Sequence, residues 1–185
     1  MIYSDKYKFV FYPIPKNGTS SVGKILLSNY QASEWPPDAR FGGHVMAVPK
    51  GIKANLYHHF TSVRHPLSRA VSLWHHCIAL ERYTGTLEEF VFEQLIPHTY
   101  WKEKTQTELC RTQSEWINHI HMDQLLRLEN LQNDFNSLPF AKNNKLPHEN
   151  KSQQLKIDFN MRIYEGVYTW AEEDFRKFNY CRWLI

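Results

Sequence analysis

A chain of 185 residues is most simply a single domain, 1–185, with room for a real core. Hydrophobic residues make up 42%, so the chain is expected to fold, and no stretch is long enough to span a membrane. The formal charge of +3 suits an anionic small ligand and is too small to argue for nucleic acid.

The opening MIYSDKYKFVF lacks a signal-peptide pattern, because charges come early and no long apolar run precedes the first expected strand. Phe9 to Ile14 is a short apolar run, rich in aromatic and branched residues, and Pro13 and Pro15 close it; it reads as a buried strand. Lys16, Asn17 and Gly18 are turn residues. Thr19, Ser20 and Ser21 then open a helical pattern with Val22, Ile25 and Leu26 on one face, and hydroxyls at a helix start suit the cap. Strand, tight turn and helix start together predict an anion site, since the first amides lack intrahelical partners and the helix dipole favours negative charge. Lys16 adds a full positive charge, and the expected ligand is a phosphate or sulfate group.

Two readings of this turn compete. Gly18 to Lys24, GTSSVGK, has the spacing of a Walker A loop, but the position that should be Ser or Thr for Mg²⁺ is Ile25. The other reading places the working lysine before the glycine, as PKNGTSS. An ordinary strand-to-helix turn is the plain alternative.

Further along, 28–43 is expected to be loop, 44–48 (HVMAV) a short strand, and 49–56 loop. His58 to Val63 has strand composition, and Arg64-His65-Pro66 ends it, with Pro66 well placed to begin a helix. Leu67 to Leu80 carries apolar residues at helical spacing. A helix from Thr86 to about Leu95 opens on Thr86 with Glu89 at capping-box distance. Residues 97–115 show no clear period. Asp123 to Leu128 reads as a strand, Glu129 to Leu138 as a helix, and Pro139 to Ser152 as a polar loop. A last helix is expected over Asn160 to Lys177, with Ile163, Val167, Trp170, Ala171 and Asp174 on one face. Strands alternating with helices predict an α/β fold with a mainly parallel sheet. The three cysteines, Cys77, Cys110 and Cys181, form no CxxC pair and suggest free thiols and no metal site.

The segment from Ser62 to Trp74, SVRHPLSRAVSLW, repeats the first arrangement: a strand ends, an arginine follows and a helix begins. Arg64 stands where ligands of open α/β sheets bind. Ser68 and Ser72 are four apart and share a helix face, whereas Arg69 points elsewhere. Arg64 with Ser72 could grip one phosphate. Against this, a surface arginine beside solvated serines explains the same residues. Two anion sites at adjacent strand ends suit a ligand with two separated phosphates.

PKNGTSS paired with VRHPLSRAVSLW resembles the cofactor-binding pair of sulfotransferases that use 3′-phosphoadenosine 5′-phosphosulfate (PAPS). The likeness is greatest to the carbohydrate branch, the heparan 2-O- and chondroitin/HNK-1-type enzymes. QSEWI at 113–117, DQLLRLENL at 123–131, LPHENKS at 146–152 and the closing YTWAEEDFRKFNY are similar to that branch too. The resemblance implies a P-loop-like three-layer α/β fold, helices flanking a mainly parallel central sheet. It also implies that Lys16, Asn17, Gly18, Thr19, Ser20 and Ser21 hold the 5′-phosphosulfate, and that Arg64 and Ser72 hold the 3′-phosphate. Asn150, Lys151 and Ser152 would close over the nucleotide. PAPS would be the co-substrate and 3′-phosphoadenosine 5′-phosphate (PAP) the product, with no metal. The chain is short for that branch and shows no N-terminal membrane anchor. A soluble or cytoplasmic protein is therefore expected, and a long polysaccharide acceptor is put in question.

Sulfuryl transfer asks that the acceptor oxygen line up with the S–O bond and that charge on the leaving phosphate be stabilised. Lys16 suits the second task. An acceptor hydroxyl needs a base, and histidine suits it. Of the ten histidines, His44 is the choice, because it follows FGG between the two motifs, where the similar carbohydrate enzymes carry their base. A merely structural His44 is the alternative. His58, His59 and His65 are expected to be structural, His119 and His121 are weaker bases, and His148 could touch nucleotide or acceptor. Glu129, at the end of a strand, either helps orient the site or caps the following helix, and the cap is the favoured reading. Trp116 either lines an acceptor groove or is buried. Arg40, Lys102, Lys104 and Arg111 either favour an anionic acceptor or form a solvated face.

The leading function is thus transfer of sulfate from PAPS to an acceptor hydroxyl, with a sugar as the expected acceptor. The alternatives are a P-loop nucleotide or small-molecule kinase using GTSSVGK, for which Asp158 is a poor metal ligand, and a non-catalytic nucleotide-binding module.

Overall fold

The computed structural model describes residues 1–36, 53–97, 107–141, 144–147 and 159–182. The chain divides into two compact units, Met1–Arg64 with His119–Asn150, and His65–Asn118 with Lys151–Ile185. Among the described residues, no helix is long and apolar enough to cross a membrane.

The first unit carries the sheet. Its strands are β1 (Ile2–Ser4), β2 (Phe9–Tyr12), β3 (Ser33–Glu34), β4 (His58–Val63) and β5 (Gln124–Arg127), in the order β3-β1-β2-β4-β5. β2 pairs parallel with β4, and β4 parallel with β5. β1 pairs antiparallel with both β2 and β3, so β1 alone runs against the other strands. The fold is therefore α/β around a five-stranded, mostly parallel central sheet, as the alternation of elements predicts.

β2 is buried at all four positions, because both faces of the sheet are covered there. Phe9 and Phe11 point to one side, where they pack with Phe60, Leu126, Phe135 and the helix α1 (Thr19–Asn29) through Val22 and Leu26. Val22 and Leu26 are four apart and so share the face turned to the sheet. Phe9 stacks on Phe140 at 4.3 Å between ring centroids. Val10 and Tyr12 point to the other side and pack with Tyr57. Each such aromatic contributes roughly 1.5–3 kcal/mol through burial alone. After β5 the chain makes a 3-10 turn, Leu128–Asn130, and then helix α5 (Leu131–Asn136).

The second unit is helical. It holds α2 (Pro66–Ala79), α3 (Leu87–Phe90), which continues as a π-helical turn Val91–Leu95, α4 (Gln113–Trp116) and α6 (Met161–Lys177). Pro66 begins α2, where its missing N–H costs nothing. The Thr86–Glu89 capping box opens α3 as its spacing predicts. A second box, Thr112 with Glu115, opens α4 inside the stretch where periodicity shows nothing. α6 starts at Asn160, whose side chain accepts from Ile163 N at 2.9 Å. The five residues expected on one face, Ile163, Val167, Trp170, Ala171 and Asp174, are all buried. They pack with Leu67, Ala70, Leu73, Phe90 and Val91 in one apolar core. Asp174 is the polar exception: its carboxylate accepts from Gln113 N at 2.9 Å, Gln113 Nε2 at 3.0 Å and Ser114 N at 2.6 Å. It thereby serves the donors at the start of α4 from a distant helix.

Candidate functional site

The carboxyl ends of β2, β4 and β5 share one edge of the first unit, fixed by the pairs Tyr12↔Thr61 and Val63↔Arg127. Ligands of open α/β sheets bind at this edge. Three segments leave it: the Pro13–Gly18 turn, Arg64, and the 3-10 turn after β5.

Two residues of the first turn have left-handed backbone, Lys16 at φ 69 and Gly18 at φ 74. Glycine takes this conformation freely, whereas for lysine it costs about 1–3 kcal/mol and must be held by its surroundings. The holding groups come from β4. Asn17, between the two, is fully buried, and its Nδ2 donates to the Ser62 carbonyl at 2.9 Å. Arg64 Nη1 donates to the Lys16 carbonyl at 3.4 Å. The sequence-predicted residues Lys16 and Arg64 thus meet at the sheet edge, through the Lys16 backbone carbonyl and the Arg64 guanidinium.

Gly18 occupies the N-cap of α1, and its carbonyl accepts from Ser21 N at 3.2 Å and Val22 N at 3.3 Å. This corrects the expected hydroxyl cap. A Cβ at Gly18 would lie 2.6 Å from Leu128 Cδ1 and 3.3 Å from Leu131 Cδ2, so a capping side chain would have to displace Leu128 and also adopt a left-handed φ of 74. Thr19, Ser20 and Ser21 form the first turn instead, which contains no acidic residue. A cation, a helix start and hydroxyls in this order suit a phosphate or sulfate group.

The Glu129 cap is corrected as well. Glu129 is exposed, and Asn130 stands at the start of α5. The carboxylate that organises this turn is Asp134, which accepts from Arg127 N and Asn130 Nδ2, both at 2.7 Å.

In the second unit, Ser72 is buried on α2. Arg69 is fully buried, donating to the Arg111 carbonyl at 2.9 Å with its guanidinium 5.4 Å from the Trp170 ring. His65 caps α2: Nδ1 accepts from Leu67 N at 3.2 Å, and Nε2 lies 2.9 Å from the Cys181 carbonyl, to which it must donate. Trp116 is buried in α4, which favours the packing reading over an acceptor groove.

The described histidines of the first unit, His58, His59, His119 and His121, lie at the amino ends of β4 and β5. His59 is buried with Nδ1 2.9 Å from the Tyr12 hydroxyl, and His58 Nδ1 lies 4.0 Å from Asp123. His121 reaches Asp123 at 3.4 Å. His119 and His121 precede β5, at its amino end, roughly 13 Å of strand from the carboxyl edge. His44, Asn150, Lys151 and Ser152 lie outside the described residues, as do His148, Asp158, Arg40, Lys102, Lys104 and the expected strand at 44–48.

A family model described as "Sulfotransferase family" matches residues 1–181. The chain belongs to the sulfotransferase family. No curated protein and no solved structure matches it. In this sulfotransferase the Walker A reading of GTSSVGK fails on geometry. The helix already begins at Thr19, so Gly23 and Lys24 lie a turn inside α1. Gly23 is pressed towards Ile2, where a Cβ would come within 3.0 Å of Ile2 Cδ1. Lys24 is exposed. A phosphate-cradling loop needs those residues ahead of the helix, and here that place is taken by Pro15 to Gly18.

Proposed function

We propose that this sulfotransferase uses PAPS as donor and a carbohydrate hydroxyl as acceptor, acting as a single domain over 1–185. The observation that carries this reading is the Arg64 guanidinium donating to the Lys16 carbonyl at 3.4 Å, which joins residues of the two separate motifs at one strand edge. A donor with phosphates at both ends calls on both motifs at once.

In this reading Lys16, Gly18, Thr19, Ser20 and Ser21 hold the 5′-phosphosulfate, and Asn17 shapes the turn from below. Arg64 takes the 3′-phosphate, for which its planar fork is suited. Ser72, which the motif pairs with Arg64, is proposed on the motif alone, as are Asn150, Lys151 and Ser152. PAPS supplies the activated sulfuryl group. Lys16 offers its ammonium to the charge that grows on the leaving phosphate. His44 is proposed to take the acceptor's proton, leaving an oxygen able to form the new O–S bond.

The test is incubation of the protein with labelled PAPS and a panel of glycans, phenols and small alcohols. Label appearing on a glycan supports the whole reading. Label on a phenol or alcohol alone replaces the acceptor. Binding of PAP without transfer to any acceptor favours a non-catalytic module.

A further inference from the structure

We infer that Arg64 is a positioning residue for the 5′ end of the nucleotide as well as a grip on its far phosphate. This rests on the PAPS reading above. The turn and β4 are fastened reciprocally. A side chain of the turn, Asn17, donates to a strand carbonyl, that of Ser62. A side chain leaving the same strand, Arg64, donates to a turn carbonyl, that of Lys16. The anchors Ser62 and Arg64 are two residues apart, and the fastened residues Lys16 and Asn17 are adjacent.

Lys16 needs such fastening, because its φ of 69 is one that a lysine leaves readily when released. Its carbonyl orientation and its side-chain direction are set by the same backbone angles. A guanidinium that holds the carbonyl therefore also fixes the direction in which the Lys16 side chain leaves the turn. The two ends of the nucleotide are then read by coupled residues rather than by independent pockets, and coupling of this kind must act in both directions.

The experiment compares binding of PAP and of adenosine 5′-phosphosulfate, which has no 3′-phosphate, to the full chain and to Arg64→Ala. Far-UV circular dichroism and thermal melting confirm that the variant is folded. Independent pockets predict that Arg64→Ala weakens PAP only. Coupling predicts that it also weakens adenosine 5′-phosphosulfate at least about tenfold, the weight of one charged hydrogen bond. Unchanged affinity of the folded variant for adenosine 5′-phosphosulfate overturns the inference. Should Arg64→Ala not fold, the unaltered protein decides. Adenosine 3′-phosphate, which carries nothing at its 5′ end, should change hydrogen exchange across 13–22. Exchange left unaltered there overturns the inference too. If the unaltered protein binds neither PAP nor adenosine 5′-phosphosulfate, the PAPS reading itself has failed, which is a separate result.

Discussion

Asn17 places its amide nitrogen 2.9 Å from the Ser62 carbonyl, with the whole side chain buried. This bond pins the one residue between two left-handed positions, so the shape of the Pro13–Gly18 turn is set by the strand beside it. Its consequences can be measured at several places.

At Lys16, the side chain and the backbone can be tested apart. Lys16→Ala removes the ammonium and keeps the left-handed strain; Lys16→Gly removes both. Sulfate transfer should fall at least about 100-fold in either variant, the usual loss when one charge-stabilising donor is deleted. Lys16→Gly should melt no lower than Lys16→Ala, because glycine relieves a strained φ. Steady-state rates and melting curves check both points, and transfer near the unaltered rate in either variant rejects the role of Lys16.

Gly18→Ala should destabilise the fold by about 2–4 kcal/mol, combining left-handed strain with overpacking. The added methyl meets Leu128 Cδ1 at 2.6 Å. Urea unfolding measures the loss, and Leu128→Ala in the same chain should restore less than all of it, since the backbone strain at φ 74 remains.

His44→Ala should lower transfer at least ~100-fold if His44 is the base. The acid limb of the pH–rate profile should vanish with it. A near-normal rate moves the base to another residue.

Strands β2, β4 and β5 and helices α2 and α6 are legible in the sequence because their signals are local: apolar runs, helical spacing, and Pro66 or Asn160 at a start. The strand-to-helix turn is legible for the same reason, Lys16, Asn17 and Gly18 being consecutive turn residues. What is missed depends on partners far along the chain. β1 and β3 have three and two residues and gain their form only by pairing, so no alternation marks them. The bond from Asn17 crosses 45 positions to Ser62. Gly18 looks like a turn glycine, and only Leu128 and Leu131 show what a larger residue would press against. The Thr112–Glu115 box escapes a reading by periodicity, and Asp174 reads as one more face residue and is in fact the acceptor for α4.

Asp174→Ala should cost about 3–5 kcal/mol, because it strands three buried donors at once and opens a cavity. Asp174→Asn should cost less, since an amide oxygen can still serve some of them. Chemical denaturation of the two variants gives the difference, and equal, small losses would show that the donors find other acceptors.

Alkaline pH should weaken the fold. Burial pushes the Tyr12 hydroxyl from 10.0 up to about 12, and burial with Glu93 and Glu89 nearby pushes Tyr83 to about 12 as well. The folded chain holds these protons more tightly than the unfolded chain. The resulting stabilisation is whole below pH 10 and is lost as pH rises from 10 through about 12. Melting temperature against pH should fall across that window, less steeply in Tyr12→Phe and less steeply again with Tyr83→Phe added.

Among the described residues, the outermost strands of the sheet are β3, with two residues, and β5, with four. So few exposed amides and carbonyls offer a poor template to a neighbouring molecule. Concentrated samples should therefore resist strand-to-strand clumping, and a crystallographer or enzymologist working with the protein gains from the brevity of its margins.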